Sequence, residues 1–391
     1  MIDKFEKALG VCSFPDEFDK IYESVKAEYE REGVFFLEPE YLIAAQKKAN
    51  VCPRTIAESI SAAEEIKKDK LAAEYALFIC RAMEERELFM KHLKLIDFPE
   101  KYPFLAFLCL IPAAVKTWEY LTEKGLPEDV INATVGQYEE CLFVYQERFD
   151  RLGMNNRYFN HLQGYVDNKF LNIGRLRFEI MKNEELYVLE NNITKDQIVF
   201  LNNERMNAEG LLAETPPVNE NGAFEACFRE TEDCYMGNPI SKKGRCKREE
   251  VVLDKSAYTI RLRPGDDCLS VHIPSQGALT EEACRESYER ALAIFKGYYP
   301  ELDVKALHCH SWMMSPELVD ILKPESNLLA FQRPYLRFPV KTKGKDVLNF
   351  VFKLKFKTYE DLPEETSLQR SLKKMYLSGQ YLYEYGGIII I

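Results

Sequence analysis

Apolar residues recur at helical spacing as far as about Tyr165 and at two-residue spacing from about Asn172, so this chain carries two different architectures in series. The clearest early stripe is Phe18, Ile21, Tyr22, Val25 and Tyr29, one face of a helix predicted to begin near Pro15 and stop at Gly33. The segments Glu40–Ala49, Arg54–Lys68, Leu71–His92 and Glu128–Phe149 are built from good helix formers, with Pro103, Pro112 and Pro127 as punctuation. An all-helical N-terminal domain over residues 1–168 is expected, followed by a sheet-containing domain over 169–391. The length of 391 residues, at about 150 residues per domain, agrees with two or three units.

After Asn172, Leu176, Phe178 and Ile180 alternate with Arg175, Arg177 and Glu179, which predicts one strand over Ile173–Ile180. Residues Asn191–Asn221 read as a polar excursion, partly helical or mobile, with Pro216 and Pro217. Strands are expected at Glu225–Arg229 and Ala257–Arg263, with a hairpin-like loop at Gly237–Lys247. A short apolar strand at Leu269–Ile273 then runs into the loop from Pro274 to Leu279. Thr280 is the expected N-cap of a helix over Glu281–Tyr298. A second strand, Val304–Trp312, completes a strand, crossover helix, strand unit, which implies a parallel pair. A short helix at Pro316–Leu322, strands at Leu328–Gln332, Tyr335–Val340 and Val347–Phe356, and a helix at Thr366–Gly379 are expected before an apolar tail. The fold class is α+β: helices first, then a mixed sheet flanked by helices.

Several function classes are disfavoured by composition. Lysine and arginine number 52 against 63 aspartates and glutamates, and the net charge of −11 repels a nucleic-acid backbone or an anionic membrane. Hydrophobic residues make up 46 % of the chain, too many for a disordered scaffold. The start, MIDKFEKALG, is charged where a secretory signal is apolar, and Phe104–Val115 is too short an apolar run to span a bilayer. The 11 cysteines include no CxxC pair, and Cys227, Cys234 and Cys246 match no common zinc module, so a reducing cytoplasm is the expected location.

Two places can carry chemistry. The loop at Ser275–Thr280 joins a buried strand to a helix N-terminus, where backbone amides can hold a phosphate, although a plain connection looks the same. On the second strand His308, His310 and Trp312 share one face, and Cys309, Ser311 and Met313 the other. With His272, three of the five histidines lie on these two strands, either as hydrogen-bonded structural residues or as proton-transfer groups. No third and fourth metal ligand stands near the pair His308 and His310, and Ser311 points away from its neighbour His310, against a hydrolase pair.

The runs LSVHIPSQGALTEEACRESYERALAIF and ALHCHSWMMSPELVDILKPESNLLAFQ, with NIGRLRFEI before them and VLNFVFKLKF and TSLQRSLKKMYLSGQ after, resemble the GNAT-like C-terminal region of bacterial acyltransferase-domain proteins that carry a helical N-terminal domain. That resemblance implies acyl-coenzyme A (acyl-CoA) as co-substrate, with no metal and a small-molecule acceptor. It implies that Val271, His272 and Ile273 present backbone groups to the pantetheine arm and that Gln276, Gly277 and Ala278 hold the pyrophosphate. The strand Leu307–Met313 is then the one that splays away to open the cleft. His272 and then His310 are the expected bases, with Ser311 as a hydrogen-bond donor near the thioester. The loop departs from the usual pattern in having one glycine, no basic residue and Pro274, which has no N–H. A non-catalytic ligand- or protein-binding module on a degenerate fold of this kind is the alternative.

Overall fold

Helix formers in the first half assemble into α1 (Asp3–Leu9), α2 (Asp19–Glu32), α3 (Pro39–Ala49), α4 (Ile56–Lys68), α5 (Lys70–Glu84), α6 (Arg86–Lys91), α7 (Leu105–Glu123), α8 (Glu128–Phe149) and α9 (Asn156–Val166). The computed structural model describes residues 3–274, 277–352 and 356–391. Two compact units, Met1–Asn172 and Ile173–Ile391, divide it; the sequence placed the boundary at 168/169.

In the helical unit α7 is the axis, packed by α3, α5, α8 and α9. Leu105 to Pro112 are buried without a break, the mark of a helix enclosed on all sides. The helix outruns the apolar stretch and is long and apolar enough to cross a membrane on length and composition alone, and 61 % of that window is buried within the protein. Pro112 lies inside it rather than ending it, at the cost of one backbone hydrogen bond. The expected single helix Leu71–His92 is two. Glu85 leaves helical geometry (φ −84°, ψ 65°), and the new direction puts Phe89 into the core. Asp69 caps α5 by accepting from the amides of Leu71 at 3.1 Å and Ala72 at 3.2 Å.

The second unit is organised by a six-stranded sheet. Its strands are β1 (Phe170–Ile173), β2 (Leu176–Lys182), β11 (Asp267–His272), β12 (Val304–Ser311), β13 (Leu336–Pro339) and β14 (Tyr385–Ile390), in the order β1-β2-β11-β12-β14-β13. Between β2 and β11 lies an excursion of eight shorter strands: β3 (Leu186–Asn191), β4 (Gln197–Leu201), β5 (Glu204–Met206), β6 (Phe224–Ala226), β7 (Phe228–Glu230), β8 (Cys234–Gly237), β9 (Val251–Asp254) and β10 (Tyr258–Leu262). Leu186, Val188, Met206 and Leu262 of this excursion form one core with Cys268, Ala306, Phe338 and Ile388 of the large sheet. The helix α10 (Glu281–Tyr298) contacts β2 and β12. Short helices α11 (Leu318–Ile321), α12 (Asn327–Gln332), α13 (Asp346–Val351) and α14 (Ser367–Leu377) share a further core around Trp312.

Several expectations change. The strand Ile173–Ile180 is a hairpin, because Gly174 turns the chain at φ +61°. Asn191–Asn221 contains β4 and β5, and Glu225–Arg229 is split between β6 and β7, which belong to different small sheets. Leu328–Gln332 is helix α12, not a strand; the Ser326 hydroxyl accepts from the amide of Leu328 at 3.3 Å and nucleates it. Val347–Phe356 begins as helix α13, with Val347, Leu348, Val351 and Phe352 at helical spacing in the Trp312 core; residues 353–355 lie outside those described. The apolar tail is β14, inserted antiparallel between β12 and β13. Trp312 leaves the strand in a 3₁₀ turn and so does not continue the face of His308 and His310.

Gly386 of β14 lies under the ring of Phe338, where a Cβ would approach ring atoms to 2.1 Å. Gly386→Ala is therefore expected to destabilise the second unit by about 1–3 kcal/mol, the usual cost of overpacking, read from the midpoint of urea unfolding.

Candidate active site

Along one face of the large sheet the side chains change character in step. On β11 they run Cys268, Ser270, His272, and on β12 Ala306, His308, His310. On β2, antiparallel and in register, they run Met181, Glu179, Arg177. Alternation puts each set on one face, and the register aligns the sets, so the apolar end meets the core of the excursion and the other end is polar. Three strands thus deliver His272, His308, His310, Glu179 and Arg177 to one region.

At that same level β11 and β12 part. Their parallel ladder pairs Cys268 with Ala306, Leu269 with Leu307 and Ser270 with His308, and it ends there. Both strands continue: β11 stays paired to β2 as far as His272, and β12 to β14 as far as Ser311. Beyond Ser270 and His308 the facing backbone edges have no ladder partner, which is the geometry of a V opening in the plane of the sheet. Val271, buried, and Ile273, half-buried, follow on the β11 arm.

His272 Nε2 lies 2.9 Å from Oε2 of Glu179, so a positive charge on this ring has a counter-ion. His310 is exposed; partial burial lowers its pKa from the ordinary value and the carboxylate of Asp346 opposes the shift. His308 packs its ring 5.5 Å from that of Phe338, and its Nδ1 is buried with no hydrogen-bond partner among the described residues. Burial, and then the nearby His310 and His272, push its pKa down to about 4. Ser311 does not join the histidines: it faces the other way, and its hydroxyl accepts from the amide of Met313 at 3.1 Å. The other face of the parting is filled by Tyr288 of α10 and Tyr335, whose hydroxyls are 2.9 Å apart.

The loop after β11 is held from a residue that sequence reasoning passed over. Arg175, in the β1–β2 turn, donates from Nη2 to the carbonyls of Pro274 at 2.9 Å and Gly277 at 3.0 Å, and from Nε to that of Ala278 at 3.1 Å. Its own amide donates to Ser287 Oγ of α10 at 2.8 Å. In a trans peptide the N–H points opposite the C=O, so fixing the Gly277 and Ala278 carbonyls turns the amides of Ala278 and Leu279 the other way. Gly277 has φ +80°, which glycine alone adopts without strain. Thr280 caps α10 by accepting from the Ala283 amide at 3.2 Å, so the positive end of an 18-residue helix abuts the loop. Gln276 lies outside the described residues. No trio of His, Cys, Asp or Glu among the described residues is placed to hold a metal.

The sequence profile of the GNAT-like C-terminal domain matches residues 170–389. The chain belongs to the GNAT-like C-terminal domain family. No curated relative matches it in sequence. Its fold is similar to that of an acyltransferase mutant in complex with octanoyl-CoA, at 15 % identity and TM-score 0.63 over 100 % of both chains. It is likewise similar to an acyltransferase in complex with decanoyl-CoA and teicoplanin, at 16 % identity and TM-score 0.60, over 99 % of this chain and 98 % of that one. The GNAT-like unit therefore comprises the whole large sheet, the parting of β11 and β12 and the Arg175-held loop.

A buried histidine with a lowered pKa makes stability depend on pH in a defined sense. The unfolded chain binds a proton below about pH 6.5, whereas folded His308 binds one only near pH 4. This contribution is therefore lost as pH falls from 6.5 to 4, by up to about 3 kcal/mol at pH 4. Urea unfolding at pH 7 and pH 4 should show His308→Gln losing less stability than wild type over that interval.

Proposed function

We propose that this protein is an acyl-CoA-dependent acyltransferase that moves an acyl group from the thioester to an amine or hydroxyl of a small-molecule acceptor. The observation that carries this reading is the end of the β11–β12 ladder at Ser270 and His308 while both strands continue. The edge of β11 beyond Ser270, along Val271 to Ile273, suits a pantetheine arm. The loop amides of Ala278 and Leu279 and the α10 N-terminus suit a pyrophosphate. The complexes of the fold neighbours with octanoyl-CoA and with decanoyl-CoA and teicoplanin support the same co-substrate and a small acceptor.

In this reading His272 is the base. Its Nε2 stands 2.9 Å from Glu179 Oε2, and the ring takes the proton from the attacking amine or hydroxyl, an effect of about 10²- to 10⁴-fold. His310, on the same face, is the second candidate. Ser311, turned to the other face and engaged with Met313, has at most a backbone role. The free thiols throughout the chain suit a cytoplasmic location.

Calorimetry with CoA and octanoyl-CoA tests the co-substrate directly. Saturable binding is expected, and no heat at millimolar ligand would sink the reading. Arg175→Met should weaken CoA binding about tenfold or more, equivalent to about 1.4 kcal/mol, without unfolding the protein. His272→Ala should slow thiol release from octanoyl-CoA to hydroxylamine by about 10²- to 10⁴-fold while CoA still binds; wild-type rates in both His272→Ala and His310→Ala would reassign the base. The single glycine of the loop favours the alternative of a non-catalytic ligand- or protein-binding module, which predicts no thiol release from octanoyl-CoA.

A further inference from the structure

Of the three histidines on the polar face, His308 has no place in the scheme above, yet it holds the most constrained position. It is the last residue of β12 to pair with β11, at Ser270, and so stands at the vertex where the strands part. Its ring lies against Phe338. His272 and His310 are close enough to raise the cost of any charge on it. A structural histidine in a sheet normally satisfies its ring nitrogens. This one leaves Nδ1 buried without a partner among the described residues.

These surroundings separate the roles of His272 and His308. His272 faces the Glu179 carboxylate at 2.9 Å. Burial holds the pKa of His308 down to about 4, so its ring is neutral near pH 7. A buried N–H without an acceptor is the costlier way to leave Nδ1, so the proton of the neutral ring belongs on Nε2. A neutral imidazole N–H polarises a carbonyl without giving up its proton.

We propose that His308 is the electrophilic residue of the site: its Nε2–H donates to the thioester carbonyl oxygen of a bound acyl-CoA. The inference rests on the acyltransferase reading. The acceptor nitrogen or oxygen forms a bond to the carbonyl carbon and loses its proton to the His272 ring. The carbonyl oxygen gains negative charge against the His308 N–H. The C–S bond then breaks, and the departing thiolate takes the proton from His272, which leaves both imidazoles neutral and His308 unchanged.

The test uses the full-length protein and octanoyl-CoA labelled with ¹³C at the carbonyl, so no acceptor is needed. Isotope-edited infrared spectra of the complex should show the carbonyl stretch shifted to lower frequency in wild type. The shift should be lost in His308→Phe, which keeps a ring against Phe338, and be largely kept in His308→Gln, which restores an N–H donor. Thiol release to hydroxylamine should fall by about 10²- to 10³-fold in His308→Phe, the range for losing one oxyanion donor, with little change in the binding of octanoyl-CoA. An undiminished carbonyl shift in a folded His308→Phe that binds octanoyl-CoA overturns the role of His308 alone. Failure of the wild type to bind octanoyl-CoA overturns the acyltransferase reading and this inference together. Should His308→Phe not fold, His308→Asn replaces it: a smaller amide drawn back from the ring position must lose the shift that His308→Gln keeps, and an equal shift in both rejects the proposal.

Discussion

The parallel ladder between β11 and β12 governs the second unit, and its early end matters more than its presence. Over Cys268, Leu269 and Ser270 the ladder ties the crossover helix α10 to the sheet and fixes the register of everything beyond it. Past Ser270 and His308 each strand is held only from its outer side, by β2 and by β14. Neither outer neighbour is replaceable by a loop, because a strand cut off from both partners leaves its backbone groups to be satisfied one by one. The opening is stable because β14, from the far end of the chain, runs along the whole outer edge of β12.

Chemistry follows from that opening through alternation. A strand that changes from apolar to polar partway along one face places the change at a definite height, and here β2, β11 and β12 change together at the height where the ladder stops. The apolar part is covered by the excursion β3–β10, and burial pushes the pKa of His308 down. The other two histidines meet different surroundings, Glu179 beside His272 and Asp346 acting on His310. One residue type repeated three times thus acquires three electrostatic characters from its neighbours alone. Arg175 adds the complementary element just beyond the same end of β11. It satisfies carbonyls of a loop whose own sequence contains no basic residue, so the amides of Ala278 and Leu279 point to the opposite side, where an anion can meet them.

Much of this was legible without coordinates. Long helices with sustained stripes, the crossover unit from Leu269 to Trp312 and the Thr280 cap all follow from local spacing and capping chemistry, which act within one turn or one strand. The common face of His308 and His310 follows from alternation in the same way. Short apolar runs were where the reading failed. Leu328–Gln332 and Val347–Phe356 suit either period over so few residues, and packing around Trp312 decided for helix. In the excursion Ala257–Arg263 is strand β10 as its spacing predicts, whereas β3, β4, β5, β8 and β9 carry no sufficient local signal because each is only a few residues long and is stabilised by its strand partners.

What the sequence determined by itself was the order of architectures, the identity of the parallel strand pair and the residue types available to a site, because these depend on interactions between near neighbours. Tertiary structure alone decided that Glu179 meets His272 across 93 residues and that Arg175 holds a loop 99 to 103 residues away. It alone decided that the apolar tail is an interior strand of the sheet, and that His308 lies uncharged at the vertex. Each of these depends on the register between distant strands, and register is set by the packing of whole faces, which no local pattern contains.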